Sequence, residues 1–318
     1  MTAVAEGTAY VDHSIPGHKP GSPEWVKYLT ASKIAAVMGH STYDSYFSMW
    51  HRMAGNIDPE PAGDEALRGH YLEPSIANWF ADQMPDYEVL TTGMWVAKDN
   101  PRFAATPDRF MVPKNPGMPL ALAEVKSSNN DWEWGAEDTE EIPLGYYDQV
   151  TWQMRCIRTY YPEIEGVHVP VLTIGLNFAK YYVPWDADYA EVLERKATAF
   201  MDALDAGEAP SIDPLDGHLQ TYNAIKKLHP DIEPGSVELT DAEARPFLEA
   251  HLKAKAADLE LQAAKNVVAM RMGNLQTAKF RGKKMFTRIS KQGGTPYMTT
   301  ARGLPAADIL TEMENTAA

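Results

Sequence analysis

An α/β sandwich around one mixed sheet is the fold this sequence predicts, and three observations predict it. The elements read in the order helix, strand meander, helix, strand pair, helix. The 318 residues are 44% apolar, enough for one large core plus an appendage. Between Tyr87 and Lys126 the runs turn short, aromatic and β-branched, and Asn100-Pro101 and Asn115-Pro116-Gly117 punctuate them as turns would.

Residues 1–22, rich in Gly, Pro and small polar residues, read as a disordered leader. A compact core should span 23–206. From Leu29 the apolar positions Ile34, Val37 and Met38 recur at helical spacing until Gly39 stops the run. A second helix is expected over Asp64 to Met84, with a kink or break at Pro74, which lacks a backbone donor. Strands follow at Tyr87–Ala97, Arg102–Ala105, Arg109–Val112 and Leu120–Lys126. Then come a helix at Gly145–Tyr161, strands at Val167–Phe178 and Lys180–Trp185, and a helix at Ala187–Ala206. Residues 207–239, with four prolines, read as a linker. Thr240 and Glu243 form a capping box that opens a long helix, and Gly273 ends it. Its stripe of Leu248, Leu252, Ala256, Leu259, Ala263, Val267 and Met270 calls for a partner. Arg281-Gly282-Lys283 reads as a hairpin turn within a basic appendage that completes residues 240–302, and 303–318 form a tail.

The net charge of -15 is unevenly spread. Residues 1–249 carry 18 Lys/Arg against 39 Asp/Glu, whereas residues 250–302 carry 11 against 2. Fields act over about 10 Å at moderate salt, so the whole-chain average does not exclude a polyanion partner. Cys156 is the single cysteine and can close no internal disulfide or four-cysteine metal site, which excludes an iron–sulfur cluster held within the chain. No run approaches 18 uninterrupted apolar residues, and the first residues lack a basic, then hydrophobic, signal pattern. A cytoplasmic protein without a membrane partner is expected.

Chemistry concentrates in Glu73, Asp108, Glu124 and Lys126. Glu124 and Lys126 lie two apart on a strand and so project from one face. Asp108 follows Thr106-Pro107 at the turn between two strands, from where it reaches Glu124 if those strands pair. Converging carboxylates repel unless a cation lies between them, and oxygen-only ligation suits Mg²⁺ or Mn²⁺. A lysine beside them can orient an attacking water, which outlines phosphodiester hydrolysis. A salt-bridged strand end would give the same three residues. The run Leu120 to Lys126 is nevertheless apolar enough to be central, where charge needs a reason.

Four segments extend this pattern: L-T-A-S-K-I-A-A-V-M-G from Leu29, G-H-Y-L-E-P from Gly69, A-T-P-D-R from Ala105 with E-V-K-S from Glu124, and Y-Y-D-Q-V-T-W-Q-M from Tyr146. In these segments the chain resembles the YqaJ-type viral recombinases, relatives of lambda exonuclease in the PD-(D/E)xK nuclease superfamily. The resemblance implies a restriction-endonuclease-like core with a central mixed sheet flanked by helices. It implies that Asp108, Glu124 and the Val125 carbonyl hold the metal, Lys126 positions the water, Glu73 supports a metal and Gln149 assists from the neighbouring helix. The implied activity is Mg²⁺-dependent exonuclease action on double-stranded DNA ends, 5′ to 3′. Its single-stranded tails would serve phage-type recombination in a host cytoplasm. A ring-shaped trimer and a single-strand annealing recombinase as partner follow from the same resemblance. An endonuclease with this site, or a DNA-binding recombination protein without activity, stays open.

Further DNA contacts are expected at Ser32 and Lys33, on a helix start that offers backbone N–H groups, and at Lys27, where the relatives carry arginine. Arg109 beside Asp108 is another. Without the resemblance, Gln149 and Gln153 both read as surface residues. Trp132 and Trp134 could stack on a terminal base or pack in the core. Lys283 and Lys284, in the basic appendage, could track phosphates or balance an acidic body.

Overall fold

The computed structural model describes residues 10–18, 22–58, 61, 63–129, 133–213, 216–291, 293–301, 304, 306, 309–311 and 313. The chain forms two compact units, Met1–Ile232 and Glu233–Ala318.

In the first unit a 3-10 turn at Trp25–Lys27 leads into β1 (Leu29–Thr30) and α1 (Ala31–Met38). Gly39 ends α1 in the left-handed region, its amide bonding back to the Ala35 and Ala36 carbonyls. A helix not expected from the sequence, α2 (Tyr46–Met53), follows behind a Ser45/Ser48 capping box. The next helix, α3 (Asp64–Asp82), runs uninterrupted through Pro74, so the expected break is absent and the cost is one backbone hydrogen bond.

The meander comprises β2 (Tyr87–Leu90), β3 (Trp95–Val96), β4 (Phe103–Ala105), β5 (Arg109–Pro113), β6 (Ala121–Ala123) and β7 (Lys126–Ser127). After it come α4 (Leu144–Ile157), β8 (Gly166–Leu172), β9 (Phe178–Pro184) and α5 (Ala187–Ala206). The large mixed sheet has the order β2-β5-β6-β8-β7, with β9 on the other side of β8. β6 and β7 both run parallel to β8 and are two halves of one strand broken at Glu124–Val125. A small sheet, β1-β4-β3, lies beside it.

Strand parity decides which helix each residue meets. Met111, Ala121 and Ala123 pack with Phe80 of α3. Phe110, Leu122 and the β8 valines pack with Val150, Met154 and Ile157 of α4. Cross-strand partners Arg109/Ala123 and Phe110/Leu122 share a face, as the pleat requires. The sheet is therefore covered on both sides, which is why its strands read as nearly continuous apolar runs.

Two boundaries differ from the sequence reading. Residues 10–15 of the expected leader are docked on the core: the Tyr161 hydroxyl bridges the Val11 amide and carbonyl at 2.7 and 2.6 Å, and Ile15 pairs with Met94. Tyr10 adds a ring contact to Phe110 at 4.6 Å. The expected linker contains α6 (Leu219–Leu228), whose Ala224, Ile225 and Leu228 pack on Phe47 and Ile57. Prolines at 210, 214, 230 and 234 flank this short helix rather than prevent it.

In the second unit α7 (Asp241–Met272) starts at the expected Thr240/Glu243 capping box. Its stripe residues Leu248, Leu252, Leu259, Val267 and Met270 are exposed. The basic appendage is a three-stranded sheet of β10 (Thr277–Phe280), β11 (Lys283–Ile289) and β12 (Tyr297–Thr300) rather than a lone hairpin. Arg281 and Gly282 both take positive φ, 47° and 80°, as a two-residue turn of this hand demands.

The ring of His168 on β8 contacts Phe80 and Tyr182. Burial, then the nearby Lys180 charge, pulls its imidazole down from 6.5 to about 4. Between these values the unfolded chain binds more protons than the folded one, so stability falls as pH drops from 6.5 toward 4. Replacing His168 by Phe should reduce the stability lost between pH 7 and pH 4.5 by about 1–2 kcal/mol, measured by urea denaturation at both values.

Candidate active site

The break between β6 and β7 is where the sequence-predicted residues meet. Asp108 immediately precedes β5 and accepts the Val125 amide on Oδ2 at 2.7 Å, so it takes up a donor at the point where the strand is interrupted. Glu124, 4% exposed, continues the face of Leu122 and therefore points toward α4. There it meets three donors. Lys126 Nζ donates to Oε1 at 2.6 Å, Gln149 Nε2 to the same oxygen at 2.5 Å, and Gln153 Nε2 to Oε2 at 2.7 Å. Lys126 also donates to Gln149 Oε1 at 3.0 Å and lies 4.8 Å from the Tyr146 ring centre.

These charges are costly to bury and act on one another. Burial, and then the Glu124 charge, raise the Asp108 carboxyl well above the ordinary carboxylate range, against the pull of Lys126. Burial opposes charge on Lys126, but Glu124 and Asp108 outweigh it and hold the ammonium above its ordinary value. Two carboxylates thus share one fixed cation. Among the described residues no three of His, Cys, Asp and Glu converge into a ready-made metal cage. Asp108 and Glu124 lie close enough for each charge to act on the other, and both offer only oxygen. That set fits Mg²⁺ or Mn²⁺, which Mg²⁺ sites commonly complete with water and substrate phosphate.

Glu73 is held differently. Arg109 has the opposite strand parity to Asp108, faces α3, and binds Glu73 Oε1 at 2.9 Å. Arg109, expected as a DNA contact, is therefore in an ion pair, and Glu73 approaches the cluster through it.

Other expected contacts are placed elsewhere. Lys33 is 1% exposed; its ammonium donates to the Trp25 and Tyr28 carbonyls and sits over the Trp25 ring, so it cannot meet a phosphate there. Trp134 is buried between Tyr146 and Tyr181 and is a core residue, not a base-stacking one. Trp132 lies outside the described residues. Ser32 is exposed, with Thr30 Oγ1 3.1 Å from its hydroxyl, and Lys27 is exposed. Lys283 and Lys284 are exposed on β11.

Sequence reasoning missed two features. Gln153, read as a surface residue, is fully buried and bonded to Glu124. It is four residues after Gln149, the spacing that puts both amides on one side of α4, and that spacing was the available signal. Asp148 is fully buried beside the site and accepts from the Tyr189 hydroxyl, while His40 Nδ1 lies 2.8 Å from its other oxygen. This carboxylate ties α4 to α5 and to the end of α1. No local motif signals it, because its partners are 108 and 41 residues away.

Residues 25–160, which hold this whole cluster, match the family model of the YqaJ-like viral recombinase domain. No curated protein matches the chain. Among solved structures, the alkaline exonuclease LHK-Exo from Laribacter hongkongensis is similar at 17% identity, over 57% of this chain and 90% of its own, with a TM-score of 0.44. The same exonuclease in complex with dAMP aligns at 16% identity over 58% and 91%, with a TM-score of 0.42. A protein from Eubacterium rectale aligns at 13% identity over 70% and 96%, with a TM-score of 0.46.

The first unit should depend on Asp148 for its packing. Replacement by Leu strands the Tyr189 hydroxyl and the His40 ring beside an apolar side chain, and should cost about 3 kcal/mol in chemical denaturation. Asp148→Asn, which keeps an acceptor, should cost less.

Proposed function

We propose that the chain is a metal-dependent deoxyribonuclease, an exonuclease that hydrolyses phosphodiester bonds from double-stranded DNA ends, 5′ to 3′. The observation that carries this reading is the Asp108–Glu124–Lys126 cluster at the broken central strand, inside a YqaJ-like domain.

Asp108, Glu124 and the Val125 carbonyl would hold Mg²⁺ or Mn²⁺, with Glu73 in support. The ion supplies Lewis-acid stabilisation of the charge that builds on the phosphoryl oxygens and the leaving oxygen. The chain's own groups do the rest. Lys126 carries three N–H donors, and Glu124 and Gln149 take two of them, which leaves one for the attacking water or a phosphate oxygen. Gln149 and Gln153 fix both oxygens of Glu124, so the carboxylate cannot rotate as charge develops. The water oxygen bonds to phosphorus and gives up a proton, the bond from phosphorus to the 3′ oxygen breaks, and that oxygen gains a proton. A nucleoside 5′-monophosphate leaves, with a new 5′-phosphate behind it.

Asp108→Asn and Lys126→Met should each lower cleavage of end-labelled linear duplex by at least about a thousandfold with the far-ultraviolet circular dichroism unchanged. Parental rates in either variant would discard the mechanism. Covalently closed circular duplex should stay uncut, and cutting there would make the enzyme an endonuclease. Independently of activity, Mg²⁺ should raise the Tm of the parent, and Asp108→Asn should abolish the rise.

A further inference from the structure

The sheet of the second unit lies outside the matched domain and carries a charge pattern that its own fold does not explain. From residue 261 to 307 the chain has no Asp or Glu, while residues 271–302 hold eight Lys/Arg. Lys279 and Lys284 are direct cross-strand partners on β10 and β11. Like charges placed opposite one another on a sheet destabilise it, and nothing in the hairpin requires them there. A register shift between Ala278 and Lys279 sets up this pairing. Both lysines are exposed.

We infer that the β10–β11 face is a binding site for the phosphate backbone of nucleic acid, separate from the catalytic cluster. The Lys279/Lys284 pair would straddle phosphates, whose negative charge would offset their mutual repulsion. Duplex DNA presents one charge per about 1.7 Å of its axis, a density that repays clustered cations through counterion release. Aromatic rings accompany the cations: Phe280 lies 5.3 Å from the Arg281 guanidinium, and Tyr297 is 41% exposed on β12. A membrane surface fits less well, because the largest exposed apolar side chains of the sheet, Ile289 at 38% and Tyr297, form a single cross-strand pair rather than an insertion face. The choice of DNA over another polyanion rests on the nuclease reading.

The test is binding of the full chain to a fluorescent duplex without divalent cations, across a series of salt concentrations. Lys279→Gln/Lys284→Gln should weaken binding about tenfold at moderate salt and reduce the slope of log K against log salt by roughly 1.8, for two phosphate contacts. Lys279→Arg/Lys284→Arg should restore both. Unchanged affinity and slope in the Gln variant would overturn the site. So would a loss that the Arg variant fails to restore, or tighter binding of the parent to phosphatidylserine vesicles than to duplex. Asp108→Asn separates the two ideas. If it cleaves at the parental rate the nuclease mechanism fails, while the hairpin result stands on binding alone.

Discussion

Burial of two carboxylates beside one ammonium is the constraint from which the rest of the first unit follows. Charge taken out of water must be met by counter-charge or by hydrogen bonds, and the chain uses both. Asp108 takes an amide freed where the central strand breaks, and Glu124 takes a lysine and two glutamines. Burial, and then the Glu124 charge, still leave Asp108 hard to ionise, against the pull of Lys126 and the Val125 amide. On the proposed reading, an added cation would relieve this tension, and the chemistry would share its origin.

The pleat distributes that machinery. Residues of even number from 108 to 110 and from 122 to 126 face α4, and the odd ones face α3. Glu124 and Lys126 therefore meet the glutamines of α4, and Arg109 meets Glu73 of α3. A one-residue slip in register would exchange the sets and bury the wrong side chains on each face. Asp148 secures the helix that delivers the amides, through Tyr189 and His40.

Much of this was legible in the sequence. The helix, meander, helix, strand pair, helix order was, because each element has strong periodicity or strong turn residues, as with Gly39 and Thr240. Short α2 and α6 were not; the prolines around α6 make its stretch look like a spacer. The carboxylates and lysine were readable through strand spacing, which is local. Lys33 was misread because a lysine at a helix start looks solvated, and only tertiary contact shows two backbone carbonyls capturing it. Trp134 was ambiguous for a related reason: an aromatic after a central strand has the same local sequence whether it points in or out. Gln153 shows the remaining limit, since its burial depends on the sheet lying beneath it.

The Tyr161 hydroxyl, by clasping both the amide and the carbonyl of Val11, makes a segment far upstream in sequence part of the wall over Phe110. Trimming the chain to begin at Trp25, as its composition would invite, removes that staple and uncovers aromatic surface next to the strand that carries Asp108. Affinity tags and fusion partners belong ahead of Tyr10, and a shortened version that clumps during purification would be reporting a missing cover rather than an unstable sheet.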